Sequence, residues 1–164
     1  MLDICNWLEA TSVGTMVRES LYGFPILVAV HIMGLAFSVG MFLWFDLRLA
    51  GVALTSSAVS RVYRALIPWA TAGFLSMFIT GSLLFTGFAS AAYKSPFFRI
   101  KLLAIALAGV NALVYHLVTE RGRSGWDVEL RPPSAARAAG MISIALWAVV
   151  ILCGRMMAYT MYSR

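Results

Sequence analysis

Four long stretches without a single Asp, Glu, Lys or Arg divide this chain. They run from Ser20 to Phe45, Ala65 to Tyr93, Leu102 to Thr119 and Ala138 to Gly154. A helix needs about 20 mostly apolar residues to cross a bilayer. The pattern predicts four transmembrane helices, near 22–46, 67–90, 98–119 and 137–160. No stretch alternates apolar and polar residues over barrel length, so a membrane β-barrel is excluded. Composition agrees: 61% of the 164 residues are hydrophobic, 12% are charged, and the mean hydropathy is +0.84. Soluble domains carry about 25% charged residues. An ordinary cytosolic enzyme, a disordered tail and a disulfide scaffold are excluded.

The connections are short. Thr55-Ser56-Ser57 marks the first, Lys94-Ser95-Pro96 the second, and Glu120 to Arg137 the longest. None holds a second domain. The expected fold is all-α: one integral-membrane domain over 1–164, an antiparallel four-helix bundle. Residues 3–18 read as a short amphipathic helix at the membrane interface, with Ile4, Trp7, Leu8 and Thr11 on one face. A packed helix outside the membrane is the alternative. An acid at Asp3 argues against a cleaved signal peptide.

The net charge is +6, from 13 Lys+Arg against 7 Asp+Glu. The bases are scattered over several segments, which fits membrane flanks and argues against a nucleic-acid groove. Loops one and three carry Arg48, Arg61, Arg64, Arg121, Arg123, Arg131 and Arg137. The opposite side carries Arg18, Lys94, Arg99, Lys101, Arg155 and Arg164. The positive-inside rule then places both termini in the periplasm. Trp44, Trp69, Tyr93, Trp126, Tyr159 and Tyr162 read as an aromatic belt at the span ends. Cys5 and Cys153 form no CxxC motif and pair only if both lie at one membrane face.

Both histidines, His31 and His116, fall inside spans, and an ionisable residue there is a functional-site hypothesis by default. Histidine is the usual axial ligand of haem b, and bundle cores hold such groups. His31 shares a helical face with Gly34 and Ser38. These small residues leave room for a flat macrocycle or, equally, for a close helix neighbour. One haem between the two histidines is opposed by depth. Spans one and three run in the same direction, and His31 and His116 differ in depth by about 13 Å at 1.5 Å per residue. Separate sites fit better, with Met156 as a partner at the level of His31. Arg99, Lys101 and Arg155 are candidate haem-propionate partners, or simply interfacial anchors. His116 has an alternative partner in Glu120, four residues on. Asn111, the one amide within the spans, reads as interhelical glue. Nine Met, two His and two Cys also allow copper as an alternative cofactor. No phosphate loop, nucleophile elbow or HExxH is present.

At WLEATSVGTMVRESLYGFP, VHIMGLAFSVG and FDLRLAG the chain resembles a family of small four-helix bacterial inner-membrane proteins, a domain of unknown function. YKSPFFRIKLL, NALVYH and GRMMAY continue that likeness. His31-x-x-Gly34 is more weakly similar to CopD-like copper-resistance proteins and to membrane cytochromes b. The resemblance implies the bacterial inner membrane. Taken with the histidines, it suggests a b-type cytochrome-like subunit that passes electrons between a protein partner and the quinone pool. The alternatives are a cofactor-free anchor or assembly subunit, a homo-oligomer among them, and a copper-handling protein.

Overall fold

The computed structural model describes residues 1–162, without the side chains of Glu120, Arg121, Arg123, Met161 and Tyr162. It is all-helical. Two short helices, α1 (Leu2–Ala10) and α2 (Ser12–Glu19), precede α3 (Gly23–Ala50) and α4 (Val59–Gly87). A short α5 (Ala89–Lys94) leads into α6 (Pro96–Val114), and α7 (Ser134–Tyr162) closes the chain. Four segments are long and apolar enough to cross a membrane: Gly23–Ala50, Val59–Gly87, Pro96–Thr119 and Ser134–Thr160. They form the expected antiparallel membrane bundle.

Three of the four spans are longer than their uncharged stretches, and α4 is shifted towards the N-terminus of its own. The 28 residues of α3 extend about 42 Å at 1.5 Å per residue, against about 30 Å of hydrocarbon. Helix α3 continues past Asp46 and Arg48 to Gly51, whose φ of 73° makes the left-handed turn that stops it. Pro96 starts α6 in the first turn, where a missing N–H costs nothing. Residues Tyr115–Thr119 loosen into a π-helical turn at the end of that span.

The N-terminal segment is two helices rather than the single helix expected over 3–18. Thr11 is extended (φ −66°, ψ 157°), and its hydroxyl accepts from Gly14 N at 3.2 Å to cap α2. The hairpin packs on the ends of α4 and α5. A Cβ on Gly14 would lie 2.9 Å from Thr86 O. The Glu9 carboxylate accepts from Ser90 N and Ser90 Oγ, both at 2.7 Å, at the start of α5. Cys5, Gly14 and Val17 are buried; Ile4 and Trp7 face outward. Cys5 and Cys153 are both buried, free thiols.

In the bundle, α3 packs on α4 and α7, and α6 packs on α7. Helices α4 and α6 do not approach each other through their backbones. Side chains cross the gap between these backbones: Phe85 stacks on Phe98 at 5.4 Å, and the Tyr63 ring meets His116 at 5.6 Å. At the far end from α1 and α2, two loops are tied together by side chains. Asp127 caps α4, accepting from Ser60 N at 2.7 Å and Ser60 Oγ at 2.6 Å. Arg48, fully buried, donates to Ser57 O at 2.8 Å and Glu129 O at 2.9 Å.

Two members of the expected aromatic belt sit elsewhere. Trp126 is buried with Phe45, Leu49 and Tyr115 in a core cluster. Trp69 is 61% exposed but lies mid-span, with its ring 6.4 Å from Phe37. Helix α4 begins eight residues before the expected 67, which moves Trp69 inward from the end. Trp44 and Tyr159 are exposed, as a belt requires. The side chains of Tyr162, Arg121, Arg123 and Arg164, and that of Glu120 in the expected His116–Glu120 pair, lie outside the described residues.

Candidate functional site

The small residues around His31 serve helix packing. Gly34, Ser38 and His31 do share one face, and that face lies against α4. A Cβ at Gly34 would sit 3.1 Å from Gly73 O, and one at Gly73 would sit 3.0 Å from Ser38 N. The Ser38 hydroxyl donates to Ala70 O at 2.9 Å. The room that the sequence left for a macrocycle beside Gly34 and Ser38 is filled by the α4 backbone. The ring of His31 itself rests on Gly81, where a Cβ would meet its Cε1 at 2.9 Å.

His31 Nδ1 lies 3.1 Å from Thr80 Oγ1. The single Thr80 hydroxyl hydrogen is engaged by α4's own carbonyls, Ser76 O at 2.8 Å and Met77 O at 3.2 Å. In the tautomer with its proton on Nδ1, His31 donates to Thr80 Oγ1 and keeps a lone pair on Nε2. Lys101 of α6 is close enough to interact electrostatically with His31.

The other proposed partners of His31 point away. Trp147 of α7 stacks on Phe42 of α3 at 5.6 Å, and nine residues further along the antiparallel pair put Met156 at the level of Met33. The level is as expected, but Met156 is 44% exposed on the outside of α7. Arg155 lies over the Tyr159 ring at 4.7 Å, and Arg99 over Tyr93 at 5.2 Å. Both are exposed; Arg99 is in the first turn of α6, in the manner of an interfacial anchor.

The two histidines are further apart in depth than the sequence suggests. Phe45, fourteen residues along α3 from His31, meets the Tyr115 ring beside His116 at 6.0 Å. At 1.5 Å per residue the offset is about 21 Å, not 13 Å. Part of the difference comes from the helix starts, since α6 begins before 98 and α3 after 22.

His116 belongs to a different environment. It lines a partly open cavity of 370 Å³ bounded by all four long helices. The cavity occupies the gap between α4 and α6. Its wall is mostly apolar and aromatic: Phe42 and Phe45 from α3, Tyr63 and Phe74 from α4, Trp147 from α7. The polar groups on it are few. Asn111 Nδ2 donates to Ala139 O at 2.9 Å, so the amide does join α6 to α7 as expected. The His116 ring meets those of Tyr63 at 5.6 Å and Tyr115 at 5.4 Å. The π-helical turn lets adjacent residues, Tyr115 and His116, both reach the cavity; such turns recur at functional sites.

Asp46 is the residue that sequence reasoning missed. By charge alone it marks the boundary of the first uncharged stretch. It lies inside the bundle, 6% exposed, on the cavity wall. Its carboxyl takes a hydrogen bond from Ser143 of α7. Among the described residues Oδ2 has no hydrogen-bond partner, and no Lys or Arg lines the cavity. A smaller pocket of 170 Å³ between α3 and α7 shares Asp46 and Trp147 with the main one. The signal that could have found Asp46 is spacing: Phe42, Phe45, Asp46 and Leu49 recur at helical intervals and share one face.

Among the described residues, no group of three or more His, Cys, Asp or Glu could hold a metal ion. The arrangement can bind an apolar molecule, offer it a buried carboxyl, and orient it with Tyr63 and His116. Comparison with family models, with curated proteins and with solved structures returns no match.

Proposed function

We propose that this multi-pass membrane protein takes a small, mostly apolar molecule from the bilayer into the cleft between α4 and α6. The observation that supports the reading is the 370 Å³ cavity with few polar groups among aromatic walls. Small-molecule sites commonly have this form, with volumes of about 300–1,000 Å³. In this reading Asp46, Ser143, Tyr63 and His116 orient the ligand, and Phe42, Phe74 and Trp147 supply contact area. Membrane-soluble quinones belong to the eligible class. A bacterial inner membrane, periplasmic termini and association with other subunits remain part of the proposal; they rest on the resemblance and on loop charge.

The test is heat stability in mild detergent across a panel of small aromatic molecules. A ligand present at 100 times its Kd adds about 2.7 kcal/mol. Wild type should be stabilised by at least one class. Gly109→Trp should not respond, because Gly109 lines the cleft and a Cβ there meets nothing within 4 Å. Equal responses from the two proteins would overturn the reading.

A second reading, a haem b electron-transfer subunit, draws on one observation. His31 Nδ1 lies 3.1 Å from Thr80 Oγ1; in the Nδ1–H tautomer Nε2 is a lone pair, the form in which imidazole ligates a metal. Absorption spectra of oxidised and dithionite-reduced protein, expressed with haem supplied, decide it. A Soret band lost in His31→Ala supports this reading. Absence of any band removes it and leaves the ligand-binding protein.

A further inference from the structure

We propose that the ligand of this cleft is a monovalent lipophilic organic cation, bound as the counter-ion of Asp46 in exchange for a proton. This rests on the reading of the cleft as a ligand site and adds the charge of what it takes.

A carboxylate enclosed in apolar surroundings is costly unless it is paired or neutralised by a proton. Asp46 is 6% exposed, and one of its oxygens is satisfied by Ser143. The other has no hydrogen-bond partner among the described residues. No described Lys or Arg lines the cavity wall. Arg48, two residues away, donates through Nε and Nη2 to the carbonyls of Ser57 and Glu129. The described wall thus holds one buried carboxyl and no basic side chain. Either a proton or a bound cation neutralises it.

The rest of the wall suits a cation with an apolar skin. Trp147 is flanked by Phe42, stacked at 5.6 Å, and by Phe74, edge-on at 6.3 Å. Aromatic faces attract cations through their quadrupole, Trp most strongly. A small inorganic ion would need several oxygen ligands, whereas a quaternary ammonium or phosphonium needs only diffuse negative potential and contact. Entry is from the bilayer, through the side where α4 and α6 stay apart. The exchange balances in charge: one cation enters, and one proton leaves the Asp46 carboxyl. Among the described residues the other titratable groups on the wall are Tyr63 of α4 and Tyr115 and His116 of the π-helical turn; α7 presents none.

Benzyltrimethylammonium and its uncharged isostere neopentylbenzene separate charge from shape. Binding to the full chain in mild detergent is measured by calorimetry at pH 6. Proton release is followed with an indicator dye in weak buffer. Wild type should bind the cation at least tenfold more tightly than the isostere and release about one proton per cation. Asp46→Asn keeps shape and hydrogen bonding. It should lose at least tenfold for the cation, bind the isostere within twofold of wild type, and release no proton. Persistence of the released proton in Asp46→Asn would assign it to His116 and overturn the proposal. If cation and isostere bind wild type equally, the cleft remains a ligand site and the cation assignment fails. If neither binds wild type, both readings fail. Should Asp46→Asn not fold, the wild-type preference and proton count decide the matter alone.

Discussion

One methyl group placed at two glycines tests how α3 meets α7 beneath the cleft. A Cβ at Gly140 of α7 would lie 2.6 Å from Asp46 O, 3.1 Å from Leu49 Cβ and 3.4 Å from Ala50 N. The nearest of these is backbone, so relief requires the two helices to separate. Gly109 of α6 is also on a long helix, and a Cβ there meets nothing within 4 Å. Both changes gain about 1 kcal/mol of helix propensity. At Gly140 that gain opposes an overpacking cost of about 1–3 kcal/mol, at the high end because backbone cannot swing aside. The net expectation is a loss of ~1–2 kcal/mol for Gly140→Ala and a gain of up to ~1 kcal/mol for Gly109→Ala. Reversible unfolding by SDS in mixed micelles reads the difference directly. Because the clash is with Asp46's own carbonyl, Gly140→Ala should also weaken whatever the cleft binds. A Gly140→Ala protein as stable as Gly109→Ala would refute the close approach of α3 and α7.

The remaining predictions concern the ties at the two ends. Arg48→Met removes two hydrogen bonds from a charged donor, each worth about 1.5–3 kcal/mol. Partial rehydration of the loop carbonyls should bring the loss to roughly 3 kcal/mol, with faster proteolysis within 51–58 and 126–133. An unchanged unfolding midpoint would refute that role. Glu9→Ala removes the acceptor of Ser90 N and Ser90 Oγ; by analogy with lost helix caps it should cost about 1 kcal/mol. Amide exchange should then rise at Ser90 and through residues 2–19, and a rise elsewhere instead would contradict the docking of α1 and α2. Thr80→Val should cost only about 0.6 kcal/mol, the average for interhelical side-chain hydrogen bonds in a membrane. A loss of several kcal/mol in the same titration would mean that His31 holds α3 and α4 together more firmly than its one bond suggests.

The bundle was legible because its signal is collective. Long uncharged stretches in one small chain leave little besides membrane helices, and no single residue has to be read correctly. The finer errors arose where one residue decides. Thr11 looks like part of a continuous amphipathic face, yet a Thr hydroxyl serves better as a cap than inside a helix, and the segment breaks there. Trp69 was placed at an interface because a Trp near a span end usually sits there, and the true start of α4 put it mid-span. Gly34 and Ser38 were open to two readings, since small residues make room without saying for what. Only the position of Gly73 opposite them decides between a ligand and a neighbour.

The site was harder to read for a reason specific to charge. Counting charges to bound a span assumes that a charged residue lies outside the membrane. Asp46 and Arg48 break that assumption in opposite ways. Two residues apart on a helix, they point about 200° from one another at 100° per residue. Arg48 turns to the loops and finds carbonyls, so its charge is absorbed by protein that the sequence gives no means of placing. Asp46 turns inward and finds one hydroxyl and an aromatic cavity. Arg48 is tied into the loops through Nε and Nη2, while Asp46 keeps Oδ2 without a hydrogen bond inside the bundle among the described residues. The contacts that separate the two, with Ser143, Ser57 and Glu129, lie 9 to 97 positions away in sequence. Helical spacing could have placed Asp46 on the same face as Phe42, Phe45 and Leu49, but not shown that no described side chain reaches its second oxygen.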